Sequence, residues 1–489
     1  MWAAWQLLGS GARVALLEAG ICGHGPSGRN GGFCESMWMS APALRDRFGD
    51  GPARELLDAS SETVGQIGAW CDDQEVDAWF DQSGYLCVST APAFDEVGRR
   101  AAQAAGALGA PDRVVELSAE EVRARCASPV FRGGVLIPDF ATVQPARLAL
   151  GLRRRLHDRG ARVFERSRVR ALRGGPGMVV AATDAGSVRA RSAVLSVGAA
   201  ARGLRALRTR LSVTSSHIVL TEPVADVLAE VGWTGGECIT DGRTLIHYFR
   251  TTRDGRIAFG WGGGRPAYGG RVNGRAELDA DVAHDVRVHL RRIFPALANR
   301  RITHAWGGPI DVSPSHIPQL GTLPGAAVHF AFGYTGNGVG PSHLAGRILA
   351  SLALDRREAL TRLPIVDSGP GALVPPEPLA FLGGLLVRSA LVRRERVEEQ
   401  GARADPITRA ICSAPRAFGI GSQVQRRPQL RWNGDVVRQR PVADVADDRL
   451  GVAGESVGQQ HDRAGVDRGD ETDVLAGGQP QQRVVLGLV

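Results

Sequence analysis

Residues 1–18 constrain the fold more than any other segment, because they follow the pattern of one half of a β–α–β unit. Residues 1–8 have the apolar spacing of an amphipathic helix, glycines at positions 9 and 11 interrupt it, and an apolar run over 13–18 ends in Glu18. A buried strand that follows a helix and ends in an acid is typical of dinucleotide-binding domains, whose carboxylate accepts hydrogen bonds from a ribose. The glycine-rich turn of such a unit comes about 20 residues before the acid. We therefore expect the first strand and that turn to be missing.

The chain contains no lysine, so all 59 of its basic residues are arginine. This excludes enzymes that form a Schiff base through lysine, such as pyridoxal-phosphate enzymes and class I aldolases. It also excludes Walker P-loop and protein-kinase ATP sites, both of which need a lysine. The formal net charge is +8, but aromatic residues make up only 6% and no zinc-finger, helix-turn-helix or RNP pattern is present. We therefore expect no nucleic-acid partner.

Cysteine usage and hydropathy indicate the compartment. The seven cysteines form no C-x-x-C pair, which favours scattered thiols in a reducing cytoplasm over a disulfide scaffold or a metal site. No basic stretch followed by an apolar one opens the chain, so we predict no signal peptide. No apolar run reaches the ~18 residues of a membrane span.

Two glycine-rich segments are the strongest candidates for ligand contact. Residues 25–32 interleave glycines with Ser27, Arg29 and Asn30, and successive amides in such a loop form an anion-binding concavity. Residues 333–340 form a glycine turn that opens a predicted helix, which presents free amides and the positive end of a helix dipole. A flexible loop and a tight strand–helix connection are the respective alternatives.

The order of the predicted elements divides the chain into two domains and two extensions. Segments of α/β pattern bracket a central region of strands separated by turn residues. We predict a discontinuous nucleotide-binding domain over 1–82, 140–210 and 300–365, and a substrate domain over 83–139 and 211–299. A helical extension over 366–420 follows. The tail over 421–489 has one aromatic residue and no hydrophobic period, so we predict that it is disordered.

These motifs together resemble the D-amino-acid oxidase and glycine oxidase superfamily of FAD-dependent amine oxidoreductases. Within it, the chain looks most like the gamma-glutamylputrescine oxidase type. The resemblance implies an α/β fold in which a Rossmann-like FAD-binding domain carries an inserted α+β substrate domain on an antiparallel sheet. The segments that carry it run in order along the chain: 16–20, 28–32, 144–148, 193–199, 248–250 with 254–256 and 259–260, 306–311 with Pro318, and 333–340.

The resemblance also implies which residues hold the cofactor. Glu18 would bind the adenosine ribose, and the backbone of Val169 would meet the adenine. Because the 306–309 segment lacks the flavin-linking cysteine of sarcosine-oxidase relatives, we expect FAD to be noncovalent. The pyrophosphate and flavin would lie against the remaining residues: Ser27, Gly28, Arg29, Asn30, Gly31, Gly198, Gly336, Asn337, Gly338 and Val339.

The implied activity is oxidation of the C–N bond of a small amine or amino acid to an imine, with hydride transfer to flavin N5. The electron acceptor would be oxygen or another oxidant. Candidates for the catalytic pocket are His247, Tyr248, Arg250 and Trp306; His247 and Tyr248 alternate along a strand, so at most one faces the flavin. Arg250 would bind a substrate carboxylate bidentately, or is a surface arginine. Two alternatives stay open: a truncated, cofactor-free or inactive member of the family, and a flavin dehydrogenase of another small substrate.

Overall fold

The computed structural model of the protein describes residues 1–369, 372–417 and 483–488. Its fold is mixed α/β, as predicted. The strands in this part of the chain are β1 (Arg13–Glu18), β2 (Phe33–Cys34), β3 (Tyr85–Ser89), β4 (Val115–Leu117), β5 (Gly133–Ile137), β6 (Ala141–Thr142), β7 (Arg162–Phe164), β8 (Ala171–Gly175), β9 (Met178–Ala182), β10 (Ser187–Ala190), β11 (Ser192–Leu195), β12 (Ser212–Thr221), β13 (Cys238–Asp241), β14 (His247–Thr251), β15 (Ile257–Trp261), β16 (Ile302–Val312), β17 (Gln319–Thr322), β18 (Val328–Phe332) and β19 (Arg483–Leu488).

Helices lie between many of these strands along the chain. They include the predicted helices near the N-terminus and after the second glycine-rich segment. In the same described part, they are α1 (Trp2–Gly9), α2 (Pro26–Arg29), α3 (Ala41–Phe48), α4 (Asp50–Asp73), α5 (Asp95–Ala107), α6 (Ala119–Arg125), α7 (Pro145–Asp158), α8 (Ala225–Glu230), α9 (Gly274–Glu277), α10 (Ala280–Ile293), α11 (Val339–Ala353), α12 (Leu379–Glu399) and α13 (Pro406–Ala417).

A six-stranded sheet forms the half that we predict to bind the nucleotide (below, the nucleotide-binding half), in the order β17-β18-β11-β19-β1-β7. All neighbours in it are parallel except β17 and β18. In the 3-2-1-4-5 order of a dinucleotide-binding sheet, the first strand lies between the second and the fourth. Here β19 takes that place, between β1 and β11. The position that we expected to be missing is therefore filled by a strand from the far end of the chain.

This strand also corrects the prediction of a disordered tail over 421–489, because residues 483–488 form β19. The rest of that predicted tail, residues 421–482 and residue 489, lies outside the described residues. The predicted helical extension over 366–420 contains α12 and α13. No helix among the described residues is both long and apolar enough to cross a membrane.

The half that we predict to bind the substrate (below, the substrate half) is built on an eight-stranded mixed sheet, the substrate sheet, in the order β16-β12-β15-β14-β13-β3-β5-β4. Only β13 and β3 pair in parallel. Its edge strand β16 begins at Ile302, although the predicted boundary placed residues 300–365 in the other domain. This long strand runs back toward the nucleotide-binding half and so links the two sheets.

Close packing of α1 on α11 sets the position of the site. A Cβ added at Gly346 of α11 would lie 2.5 Å from the Cβ of Trp2, so the two helices approach at a spacing that only glycine permits. The Trp2 ring also lies edge-on to Trp70 of α4, with ring centroids 4.9 Å apart. Both α1 and α11 therefore begin at the same cleft.

Candidate active site

The two large sheets and the glycine-rich segments border a cleft of about 2850 Å³. It extends from the end of β1, past the first turns of α1 and α11, to β14. The predicted site residues that line it are Glu18, Ser27, Arg29, Asn30, Gly31, Gly198, Tyr248, Gly336, Asn337, Gly338 and Val339. Those that do not line it are Gly28, Val169, His247, Arg250 and Trp306.

At one end of the cleft, a carboxylate lies near the start of a helix that has no side-chain cap. Glu18 is the last residue of β1, and its Oε1 accepts a hydrogen bond of 2.8 Å from the Gly20 amide. Burial raises the pKa of Glu18, and that hydrogen bond opposes the shift. Nearby, α1 begins after Met1 without a side-chain cap, and its first residues line the cleft. Uncapped amides and a helix dipole at this end favour an anion.

Asn30 closes the first glycine-rich segment into a compact loop. Its Nδ2 donates to the carbonyls of Pro26 and Ser27, both at 3.0 Å, and its Oδ1 accepts from the Gly32 amide at 2.8 Å. Gly28 does not line the cleft. It allows close packing, because a Cβ there would lie 2.0 Å from the Gly23 carbonyl oxygen. The loop's shape therefore depends on Asn30 and Gly28, while the cleft is lined by Gly25, Pro26, Ser27, Arg29, Asn30 and Gly31.

Two side chains of the substrate sheet hold this loop by its carbonyl groups. Arg250 Nε donates to the Gly31 carbonyl at 2.6 Å, and its Nη1 donates to the Thr251 carbonyl at 3.0 Å. Trp306 Nε1 donates to the Arg29 carbonyl at 2.8 Å. Burial lowers the pKa of Arg250 to about 10, so the guanidinium stays charged at neutral pH. In this structure Arg250 and Trp306 position the loop, in contrast to the direct substrate contact that we predicted.

Tyr248 and His247 point to opposite faces of β14. The Tyr248 ring meets Phe33 edge-on at 5.9 Å, and its hydroxyl lies 2.7 Å from Ser216 Oγ. His247 is buried on the other face, with Nδ1 at 2.6 Å from Asp241 Oδ2 and Nε2 at 2.9 Å from His289 Nδ1. Of the pair, Tyr248 reaches the cleft, and His247 belongs to an interior polar network.

Asp311, at the end of β16, holds the second glycine-rich segment. Its Oδ2 accepts from the Gly333 amide at 2.5 Å, and its carbonyl accepts from the Thr335 amide at 3.0 Å. Burial raises the pKa of Asp311 to about 6. The segment ends at α11, which has no side-chain cap at Gly338, so amides of its first turn remain available to a ligand. The motif over 306–311 includes Asp311, but its contact with Gly333 joins residues 22 positions apart, so no local sequence pattern marks it.

Val169 and Gly198 differ in their relation to the cleft. Val169 is buried in a core cluster with Leu17, while its neighbours Arg168 and Arg170 line the cleft. Gly198 follows β11 with a φ of +49°, a backbone conformation that favours glycine, and lines the cleft.

A mostly parallel sheet that presents an acid, two uncapped helix starts and two glycine-rich loops to one cleft is typical of dinucleotide-binding domains. The sequence profile of the DAO family, described as FAD dependent oxidoreductase, matches residues 1–352. The chain belongs to this family and is therefore an FAD-dependent enzyme, which confirms the predicted family and cofactor.

Individual relatives agree with this assignment. The chain is 29% identical over 405 residues to a probable oxidoreductase OrdL of Rhizobium meliloti, covering 80% of this chain and 86% of the relative. It is 28% identical over 369 residues to gamma-glutamylputrescine oxidoreductase of Escherichia coli, covering 74% and 83%. The crystal structure of glycine oxidase from Geobacillus kaustophilus has the same fold, with a TM-score of 0.61 at 19% identity, covering 75% of this chain and 94% of that one.

Proposed function

We propose that the protein oxidises the C–N bond of a small amine or amino acid to an imine, with noncovalently held FAD. The convergence of Glu18, the 25–32 loop and the 333–340 turn on one cleft carries this proposal. When bound, FAD supplies the two-electron acceptor, with hydride passing from the carbon that bears nitrogen to flavin N5. The imine then adds water and releases ammonia or a smaller amine.

The residues around the cleft fit this cofactor. Glu18 suits the ribose hydroxyls, and the uncapped start of α1 suits a pyrophosphate. A Cβ at Gly340 would lie 2.1 Å from the Glu35 carbonyl oxygen, so the first turn of α11 lies close to the chain just after the first loop. Amides of this turn would stabilise negative charge on the pyrimidine end of the reduced ring.

Three side chains position these loops through hydrogen bonds. Arg250 and Trp306 hold the first loop, and Asp311 holds the second. The Tyr248 ring forms an apolar wall next to Gly31, since a Cβ at Gly31 would lie 2.9 Å from that ring. Such preorganised loops lower the cost of arranging groups when the reaction occurs.

The absorption spectrum of the desalted protein tests cofactor binding. We expect a flavin spectrum at close to one flavin per chain, and release of the flavin into solution when the protein is denatured. A folded but colourless protein would contradict the proposal. Loss of the flavin absorption on anaerobic addition of primary amines, but not of 2-hydroxy acids, is expected next. Bleaching by the hydroxy acids alone would favour a dehydrogenase of another substrate.

A further inference from the structure

A buried carboxyl group, that of Glu35, lines the cleft directly after β2. The residue is only 8% exposed. In the described part of the chain, no hydrogen bond or cation offsets the burial of this carboxyl group. An unpartnered carboxyl in such a place is costly to the fold, which points to a ligand that completes it.

The surroundings of Glu35 are aromatic. Cys34 pairs with Ala141 in the β2–β6 ladder, and Ser36 Oγ donates to Asp139 Oδ1 at 3.1 Å, so Glu35 lies beside Phe140. The Phe140 ring stacks on Tyr85, with centroids 4.6 Å apart. Phe140 and Tyr85, like Tyr248 and Phe33, line the cleft. A carboxyl group among aromatic rings is a combination that favours a cationic ligand.

Two arginines near this end of the cleft, Arg250 and Arg243, already have partners in the protein. Arg250 donates to the Gly31 and Thr251 carbonyls and does not line the cleft. Arg243 does line it, but it pairs with Glu395 at 3.2 Å and with Glu399 at 2.7 Å. A carboxylate on the reacting carbon of a substrate would therefore meet Glu35 without charge compensation from either of these two arginines.

Burial also makes the Glu35 carboxyl a proton acceptor of suitable strength. It raises the pKa of Glu35 well above its usual value. The titratable groups that sense Glu35 are the thiols of Cys34 and Cys238, and burial raises the pKa of both well above the usual range, so both stay neutral. Burial therefore favours the neutral form of Glu35 in the free cleft.

We propose that Glu35 recognises the ammonium group of the substrate, takes its proton, and selects amines over α-amino acids. Glu35 first loses its proton to solvent as the ammonium ion binds. The carboxylate then takes one proton from that ammonium, leaving a neutral amine and a neutral acid, and the nitrogen is ready for C–N oxidation. Net, one proton is released for each ammonium ion bound. This proposal rests on the proposed function.

Three small probes test it, none of which has a hydrogen on the carbon that bears its charged group: tert-butylammonium, pivalate and α-aminoisobutyrate. We would titrate each into the holoenzyme at pH 7 by calorimetry, in buffers of different ionisation enthalpy. We expect tert-butylammonium to bind at least about tenfold more tightly than the other two. About one proton should be released for each ammonium bound.

Variants locate the effect at Glu35. Glu35→Gln should weaken tert-butylammonium binding by about tenfold to a hundredfold and abolish proton release. Glu35→Asp should restore part of both. The control Glu55→Gln removes an exposed carboxylate on α4 and should change neither. Unchanged binding in Glu35→Gln, or equal binding of α-aminoisobutyrate, would overturn the proposal. Flavin absorption of the same samples reports separately on the proposed function and on folding.

Discussion

The two glycine-rich loops line one cleft but are held in opposite ways. The side chains of Arg250 and Trp306 donate hydrogen bonds to carbonyl groups of the first loop. The acceptors are Gly31 and Arg29, respectively. An acceptor holds the second by its amides, through Asp311 to Gly333. Trp306 and Asp311 both lie on β16, so one strand of the substrate sheet fixes both loops. The two loops therefore differ in how their supports respond to pH: Arg250 keeps its charge at every physiological pH, whereas Asp311 has a pKa of about 6.

Replacing Arg250, the charged residue that holds the first loop, should lower the free energy of unfolding more than the other substitutions below. Arg250→Met leaves the partly buried carbonyls of Gly31 and Thr251 without a donor, each at a cost of about 1–3 kcal/mol. Because the substitution also removes a buried charge, we expect a net loss of about 3 kcal/mol and weaker retention of flavin. Urea unfolding and the flavin content of desalted protein measure these two quantities.

The neighbouring Arg253 supplies the control for that substitution. Arg253 pairs with Asp77 at 3.0 Å on an exposed surface, and such pairs contribute about 0–1 kcal/mol. Arg253→Met should therefore leave both quantities nearly unchanged. Equal effects of the two substitutions would show that Arg250 does not hold the loop in the way that its contacts indicate.

The residues that hold the two loops also show which features of the site can be predicted from the sequence. Glu18 and both glycine-rich segments were identified because each signal is local. The contacts from Arg250 to Gly31 and from Trp306 to Arg29 join residues 219 and 277 positions apart, which no local pattern encodes. The pairing of β1 with β19 is more distant still. Alternation along β14 predicted that only one of His247 and Tyr248 faces the cleft, but period two alone does not say which.

The support of the second loop should respond to pH. Burial raises the pKa of Asp311 from 3.8 to about 6. Between about pH 4 and pH 6 the folded chain holds this proton and the unfolded chain does not, so stability falls as the pH rises. The full shift corresponds to roughly 3 kcal/mol, and we expect about 2 because the residue is only partly buried.

Asp311→Asn keeps an acceptor for the Gly333 amide but removes the ionisation. The fall in unfolding free energy over this pH range should therefore be smaller by about 2 kcal/mol in the variant than in the parent. Asp46→Asn, which removes an exposed carboxylate on α3, should keep the parent's profile. If the unfolding free energy of the Asp311 variant falls as much as that of the parent, another buried acid must cause the fall. The contrast between the two loops would then be wrong.

The smallest loss of unfolding free energy is expected for a substitution of Trp306. This residue holds the first loop, together with Arg250, by a single hydrogen bond. Trp306→Phe keeps an aromatic ring but leaves the Arg29 carbonyl without its donor. We expect a loss of about 1 kcal/mol in urea unfolding that is independent of pH, because neither partner titrates. Trp79→Phe is the matched control, since it keeps a ring for the Arg147 guanidinium 4.8 Å away. A Trp306 effect as large as that of Arg250→Met would mean that β16, rather than the buried arginine, is the main support of the loop.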